Sequence, residues 1–238
     1  KNLNEIKIKK GKKKIIEIFG KNGLQSFDIN VPADPSSAAF FVALTLLQKN
    51  SSLKIKNVGL NPTRIGFYEI LKKNGAKIKF KNVKKIDNEI VGDIFVKSSK
   101  LRPLKVTKEF YVKSTDEYPI MFVIAGLTPG ISVFEGIKDL ANKESDRIME
   151  MKKLLSQVGI KCISSESEMK IYGQKNLKKT YNSIKVPKLG DHRICMSAAI
   201  LSFCTGIKAK INSFETVDTS SPSFLKIIKS LGGKFEIK

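Results

Sequence analysis

The sequence predicts an α+β fold with helices inside and sheets outside, on the basis of three observations. One pattern recurs three times: an Asp is followed by an apolar helical run, a strand, an amphipathic helix, a Gly and a last strand. Its copies span residues 34–75, 116–159 and 191–232, so their lengths are closely similar. The first helical run of each copy is apolar almost all round, which is typical of a buried helix. Lysines alternate with apolar residues in Leu-Lys-Ile-Lys at residues 53–56, which is typical of a strand with one face in water.

Residues 1–30 precede the first copy and lack its helical pattern. They predict three short strands, at residues 6–8, 15–18 and 26–29, with a lysine-rich turn and no helix. We interpret them as the last strands of a preceding lobe. The chain starts with Lys1 rather than Met, which favours a fragment or a processed piece.

Each copy carries signals for where its helices begin and end. Asp34 followed by Pro35 predicts a capped helix start with an early proline. Gly75, Gly159 and Gly232 predict the ends of the second helices. The apolar residues of those helices recur at helical spacing: Ile65, Tyr68 and Leu71; Ile148, Met151 and Leu155; Phe224, Ile227, Ile228 and Leu231. Strands at residues 77–80, 161–163 and 234–237 close the copies, and the repeats are predicted to occupy about 31–100, 101–178 and 179–238.

The composition is that of a soluble globular protein, with 41% apolar and 28% charged residues and a formal net charge of +22 over 238 residues. Such a charge is compatible with nucleic-acid binding. However, the lysines are spread through nearly every segment, without an arginine-rich arm, an aromatic-interleaved basic stripe or a Trp. We therefore expect no nucleic-acid partner, and a cationic RNA-binding module stays as an alternative.

The cysteines and apolar runs bear on the cellular setting. Cys162, Cys195 and Cys204 lack metal-ligand spacing, which favours a reduced, cytoplasmic location. Cys195 and Cys204 lie in an apolar helical run and are predicted to be core residues. The longest apolar runs, near residues 38–47 and 118–127, are too short to span a membrane, and no secretory signal is present. We expect neither a membrane partner nor a bound metal.

Arginine is scarce, since only four of the 44 basic residues are arginines. Arg64, Arg147 and Arg193 all lie at predicted helix starts, beside an acidic residue or a turn. A guanidinium is a planar, permanently charged fork that suits carboxylates and phosphates, and helix N-termini favour anions as well. The pattern predicts an anion site at the helix starts, where nearby carboxylates can assist acid–base chemistry.

Several of these segments resemble one enzyme family, the EPSP synthases (3-phosphoshikimate 1-carboxyvinyltransferases). The matching segments are Val-Pro-Ala-Asp-Pro-Ser-Ser-Ala (residues 31–38), Asn-Pro-Thr-Arg (61–64), Asp-Glu-Tyr-Pro (116–119), Lys-Glu-Ser-Asp-Arg (143–147) and Asp-His-Arg-Ile (191–194). The resemblance covers essentially the whole chain. It implies an EPSP-synthase-type inverse α/β lobe made of three βαβαββ-like units. Residues 31–238 would be the C-terminal lobe, and residues 1–30 the end of the N-terminal lobe.

The resemblance also implies the reaction and its residues. The family transfers the enolpyruvyl group of phosphoenolpyruvate to the 5-hydroxyl of shikimate 3-phosphate and releases phosphate, a step of the shikimate pathway to chorismate and aromatic amino acids. Asp116 matches the proton acceptor near that hydroxyl, and Glu144 the group that assists proton transfer at the methylene carbon. Lys143 matches a contact of shikimate 3-phosphate, while Arg147 and Arg193 match residues that hold phosphoenolpyruvate. The resemblance implies no metal or organic cofactor.

Departures from the family pattern limit what this chain is expected to do alone. Ala-Asn at residues 141–142 stands where many members have Arg-Val, and Thr219 stands where some have a lysine that contacts phosphoenolpyruvate. The substrate sites of the N-terminal lobe have no counterpart, so we expect an inactive chain that needs that lobe, with a monomeric full-length enzyme. We interpret His192 as a structural hydrogen-bonding residue and Arg64 as a structural cap or ion pair.

One enzymatic alternative shares the fold and the donor with this family. It is UDP-N-acetylglucosamine enolpyruvyl transferase, which is expected to lack both the lysine and the histidine found here. Lys-Glu at residues 143–144 together with Asp-His-Arg at residues 191–193 favours EPSP synthase over it.

Overall fold

The computed structural model describes residues 6–9, 15–18, 26, 28–175, 177 and 183–237. The chain divides into two compact units, Lys1–Val31 and Pro32–Lys238. In the first unit, β1 (Ile6–Lys9) pairs antiparallel with β2 (Ile15–Ile18), which confirms two of the predicted strands. The third is wrong: residues 26, 28 and 29 lie in no strand, while residue 27 and the lysine-rich turn fall outside the described residues.

The second unit mixes helices and sheets. Its helices are α1 (Pro35–Leu47), α2 (Gly66–Lys73), α3 (Tyr111–Ser114), α4 (Tyr118–Gly126), α5 (Arg147–Ser156), α6 (His192–Thr205) and α7 (Phe224–Ser230). Its strands are β3 (Ser52–Gly59), β4 (Lys77–Ile86), β5 (Glu89–Lys97), β6 (Lys105–Val106), β7 (Gly130–Glu135), β8 (Lys161–Ser164), β9 (Glu168–Gly173), β10 (Ile184–Val186) and β11 (Ala209–Ile211). The described part of this unit also contains four 3-10 helices: Lys108–Phe110, Thr115–Glu117, Lys138–Asn142 and Phe214–Val217.

The strands described in this unit form three sheets. The sheet with strand order β3-β5-β4 is fully antiparallel. The sheet with strand order β6-β7-β9-β8 is antiparallel except for the parallel pair β6-β7. The pair β10-β11 is parallel. In β3, Lys54 and Lys56 are exposed while Leu53 and Ile55 are half-buried, so the expected alternation is confirmed.

The core is centred on α1, α4 and α6, which contact one another. Their apolar residues surround each helix instead of forming one stripe, so each helix can be covered on nearly all sides. All nine residues of α4 are buried. The prediction that these first helices are buried is confirmed. Cys195 is fully buried in α6, whereas Cys204 on the same helix is partly buried and packs against the core.

The predicted helix ends are confirmed, and one predicted strand is wrong. Gly75, Gly159 and Gly232 follow α2, α5 and α7 with φ of +99°, +77° and +89°, a backbone conformation that favours glycine. Residues 234–237 form no strand, although Lys-Phe-Glu-Ile alternates as a strand would. Alternation alone does not make a strand, because a strand also needs a neighbour to complete its hydrogen-bond ladder.

Among the described residues, none of the helices combines the length and the apolar character that a bilayer crossing requires.

Gly173 at the end of β9 is a position where close packing leaves no room for a side chain. An added Cβ would overlap the carbonyl oxygens of Thr128 and Ala125, both backbone atoms that cannot rotate away. We expect Gly173→Ala to lower the free energy of unfolding by about 3 kcal/mol, measured by urea denaturation. Gly59→Ala is the matched control, since its Cβ would meet only ordinary contacts of 3.5 Å or more. Equal losses in the two variants would contradict this account.

Candidate functional site

The starts of α4, α5 and α6 bring three of the expected site residues together. Asp116 lies in the 3-10 helix Thr115–Glu117 that leads into α4, Arg147 is the first residue of α5, and Arg193 is the second of α6. Arg147 Nη1 lies 3.8 Å from Asp116 Oδ1, and Arg193 Nη2 lies 3.3 Å from Asp116 Oδ2. Arg193 Nη1 also donates to the Asp116 carbonyl oxygen at 3.3 Å. Two guanidiniums therefore flank one carboxylate.

Arg147 is buried to an extent that is unusual for arginine, with only 1% of its side chain exposed. Its Nε donates to Asp191 Oδ2 at 2.9 Å, and its Nη2 donates to Glu144 Oε2. Its Nη1, however, makes no hydrogen bond within the described residues. A buried charge needs partners to offset lost hydration, so this guanidinium is held by carboxylates on two sides and keeps one unused donor group.

Asp191 is the residue that holds Arg147 in place, and the sequence did not single it out as a site residue. It is fully buried and caps α6, with Oδ1 accepting from the backbone N–H groups of Arg193 and Ile194. Its Oδ2 accepts from Ser145 Oγ at 2.9 Å as well as from Arg147. Burial acts to raise the pKa of Asp191, but the hydrogen bond and charge of Arg147 outweigh it and lower that pKa. The carboxylate is therefore ionised at neutral pH.

The segment that precedes α5 supplies the other two expected residues. Glu144 is partly exposed and pairs with Arg147. Lys143 is exposed, and within the described part of the chain no carboxylate lies within ion-pair distance of its ammonium group. The cap of α5 is Asp146, whose Oδ1 accepts from the Met149 N–H at 3.0 Å. This cap fixes the start of α5 and thus the position of Arg147.

His192 differs from the sequence expectation. His192 Nε2 is buried and makes no hydrogen bond among the described residues, and Nδ1 is 4.0 Å from Glu144 Oε1, too far for one. Its interpretation as a structural hydrogen-bonding residue is therefore wrong here. Burial and the nearby Arg193 charge lower the pKa of His192, which favours the neutral imidazole. Asp116 opens the second repeat but caps no helix, whereas Asp34 and Asp191 cap α1 and α6.

Arg64 and Thr219 bond to residues outside the Asp116–Arg147–Arg193 cluster. Arg64 Nη2 bonds to Asp34 Oδ1 at 3.3 Å and to Ser36 Oγ at 3.1 Å, which confirms its structural pairing. Thr219 Oγ1 donates to the Thr216 carbonyl oxygen at 2.8 Å and is exposed. Within the described residues, no cluster of three or more His, Cys, Asp or Glu side chains could hold a metal ion.

The family model for EPSP synthase (3-phosphoshikimate 1-carboxyvinyltransferase) matches residues 2–228. The 3-phosphoshikimate 1-carboxyvinyltransferase of Petrotoga mobilis is 38% identical over 208 residues, which cover 87% of this chain and 48% of that protein. The one from Thermodesulfovibrio yellowstonii is 40% identical over 209 residues, with 87% and 48% covered. This chain thus spans about half the length of the curated relatives it matches.

Solved structures resemble the chain as well. An EPSP synthase from Acinetobacter baumannii superposes with a TM-score of 0.82 at 32% identity, covering 94% of this chain and 51% of that one. The enolpyruvyl transferase NikO from Streptomyces tendae has a TM-score of 0.71 at 12% identity, covering 96% and 50%, which shows likeness of fold alone. The family match, which includes every residue of the Asp116–Arg147–Arg193 cluster, establishes that the chain belongs to the EPSP synthase (3-phosphoshikimate 1-carboxyvinyltransferase) family.

Proposed function

We propose that the protein transfers the enolpyruvyl group of phosphoenolpyruvate to the 5-hydroxyl of shikimate 3-phosphate, with release of phosphate. The observation that carries this proposal is the pair of guanidiniums of Arg147 and Arg193 on either side of the Asp116 carboxylate. Two forks at fixed positions suit a donor with both a carboxylate and a phosphate. Family membership supports the same reaction, in the shikimate pathway to chorismate.

Arg147 and Arg193 hold phosphoenolpyruvate in this proposal. Arg147 is fixed by Asp191 and Glu144 and has Nη1 available for an anion. Arg193 is fixed by the Asp116 carbonyl oxygen, and only 12% of its side chain is exposed. Because both guanidiniums are held before substrate arrives, little side-chain freedom is lost on binding. Lys143, which is exposed and lies next to Glu144, contacts shikimate 3-phosphate.

Asp116 and Glu144 move protons in this proposal. Asp116 accepts the proton of the 5-hydroxyl while the oxygen of that hydroxyl bonds to the enol carbon of phosphoenolpyruvate. Glu144 assists proton transfer at the methylene carbon of phosphoenolpyruvate. Both carboxylates are partly exposed, at 41% and 45%, so substrate can reach them. Both carboxylates also lie within ion-pair distance of the Arg147 guanidinium. Because Arg147 holds phosphoenolpyruvate in this proposal, the two proton-transfer groups would lie around the same bound donor.

We further propose that residues 31–238 are the C-terminal lobe, built from three related units with helices inside and sheets outside. The supporting observations are the mutual packing of α1, α4 and α6 and the recurrence of a second helix and a Gly in each unit. Residues 1–30 would belong to the N-terminal lobe, and the rest of that lobe would make up the half of the relatives that this chain does not span. That lobe would complete the site in a monomeric, cytoplasmic enzyme without a cofactor.

The decisive assay measures phosphate release from phosphoenolpyruvate and shikimate 3-phosphate. We expect no significant release by the purified 238-residue chain, because half of the anion-binding groups are supplied by the other lobe. Addition of the separately expressed complementary half of the Acinetobacter baumannii enzyme is expected to yield turnover.

The outcomes separate the two parts of the proposal. Substantial release by the chain alone would show that it carries a complete site and would overturn the two-lobe account. A stable complex of the halves, verified by gel filtration, that still releases no phosphate would overturn the proposed activity. UDP-N-acetylglucosamine in place of shikimate 3-phosphate tests the alternative acceptor.

A further inference from the structure

A cavity of about 290 Å³ lies between α5 and the segment that leads from β10 into α6. None of the residues that line it belongs to the Asp116–Arg147–Arg193 cluster, and the proposed function assigns them no role. Its volume is near the lower end of the range for small-molecule sites, with room for about ten water-sized groups. The cavity is therefore large enough for a small organic ligand.

The floor of this cavity is apolar and rigid. Leu154 is 2% exposed, Val186 3% and Ile194 1%, and all three belong to the hydrophobic core. They come from three different elements, so the floor cannot move without disturbing the packing of that core. Pro187, which is exposed, and Leu189, which is half-buried, add apolar surface that a ligand can cover.

Gln157 holds two sides of the cavity together. Its Oε1 accepts from the Lys185 N–H at 2.7 Å, and its Nε2 donates to the Lys185 carbonyl oxygen at 3.0 Å. The side-chain amide thus satisfies backbone groups at the edge of β10 and ties that strand to the end of α5. Because both ends of the amide are used, the cavity is formed before any ligand binds.

The rim of the cavity carries more positive than negative charge. Lys153 Nζ pairs with Glu150 Oε1 at 2.8 Å, so these two charges offset each other. Lys185 is exposed, and the ion pairs found within the described part of the chain do not include it. One lysine charge is therefore in excess, which suits a ligand with a single negative charge.

We propose that this cavity binds a small monocarboxylate with an apolar body. The carboxylate pairs with Lys185 at the rim, and the apolar body lies against Pro187 and Leu189 above the floor. A small dianion without an apolar body matches neither feature. The proposal is independent of the proposed function, because none of the lining residues takes part in that reaction.

Phenylacetate is a suitable probe, because it joins one carboxylate to an apolar ring. We expect it to bind the purified chain with a dissociation constant on the order of 1 mM. Binding is measured by NMR titration of the isotope-labelled chain, in which the amide signals of residues 185–189 and of the last turn of α5 should shift. Acetate lacks the apolar body and phenylacetamide lacks the charge, so each should bind about fivefold more weakly.

Two variants test the two halves of the proposed contact. Lys185→Gln removes the excess charge at the rim and should weaken phenylacetate binding about fivefold. Lys188→Gln is the matched control, since Lys188 is also exposed but does not line the cavity. Leu189→Ala should weaken the binding of phenylacetate by a similar factor and leave that of acetate unchanged. Equal affinities in Lys185→Gln and Lys188→Gln would overturn the proposal.

The alternative position for the probe is the pair Arg147 and Arg193. It is close by, because Ile194 follows Arg193 directly and Glu150 lies one helical turn after Arg147. Inorganic phosphate, added at constant ionic strength, competes for the two guanidiniums. Phenylacetate binding that phosphate abolishes would overturn the proposal, whereas binding that persists and still shifts the signals of residues 185–189 would support it.

The remaining outcomes are also decisive. A titration in which phenylacetate shifts no signal, or in which acetate binds as tightly as phenylacetate, would overturn the proposal. The comparison of the two ligands needs no variant, so it decides the role of the apolar body even if Leu189→Ala does not fold.

Discussion

Arg147→Lys is expected to weaken phosphoenolpyruvate binding by about two orders of magnitude. A lysine carries one ammonium group, which cannot replace the fork that contacts Asp191, Glu144 and Asp116 at once. The phosphoenolpyruvate site then keeps a positive charge, but that charge is no longer held at a fixed position. The loss should be measured as the dissociation constant of phosphoenolpyruvate by calorimetry, on the purified chain and on the chain combined with the complementary half of a relative.

The burial of Arg147 adds a cost in stability. Asp191 is fully buried and would be left with a less complete set of donors, so the free energy of unfolding should fall by about 1–3 kcal/mol. Arg102→Lys is the matched control, since Arg102 is exposed and, within the described part of the chain, its side chain donates a hydrogen bond to the Lys73 carbonyl oxygen alone. Unchanged donor affinity in Arg147→Lys, with a normal unfolding transition, would remove Arg147 from the site.

Local patterns in the sequence predicted most of the helices of this fold. Continuous apolar runs marked α1, α4 and α6, and Gly75, Gly159 and Gly232 marked helix ends, because both signals depend on the residues of the element itself. The missing strand at residues 234–237 shows the limit of such reasoning. Whether an alternating segment becomes a strand depends on a neighbour that its own residues do not specify.

Site residues that belong to a recognisable sequence motif could be predicted. Residues whose role depends on contacts between distant segments of the chain could not. Arg147, Arg193 and Asp116 were expected and do converge. Asp191 was missed as a site residue, because its partner Arg147 is 44 positions away. The one available signal for Asp191 was its place as an acidic residue at the start of an apolar helical run, two positions ahead of Arg193.

Asp116→Asn should separate two roles for this carboxylate. Asparagine keeps the shape but cannot accept a proton from the hydroxyl, so turnover of the two combined halves should fall by roughly 10²-fold or more. Since 41% of the Asp116 side chain is exposed, the effect on stability should be small.

The affinity for phosphoenolpyruvate should not fall together with turnover in Asp116→Asn. Asp116 places a negative charge 3.8 Å from Arg147 Nη1 and 3.3 Å from Arg193 Nη2, and its removal should leave phosphoenolpyruvate affinity equal or higher. The exposed Asp218→Asn is the matched control and should change neither quantity. If Asp116 served only as a counter-ion for the two guanidiniums, the variant would bind the donor more tightly and turn over at a near-normal rate. That result would defeat its assignment as the proton acceptor, whereas slow turnover with intact binding would support it.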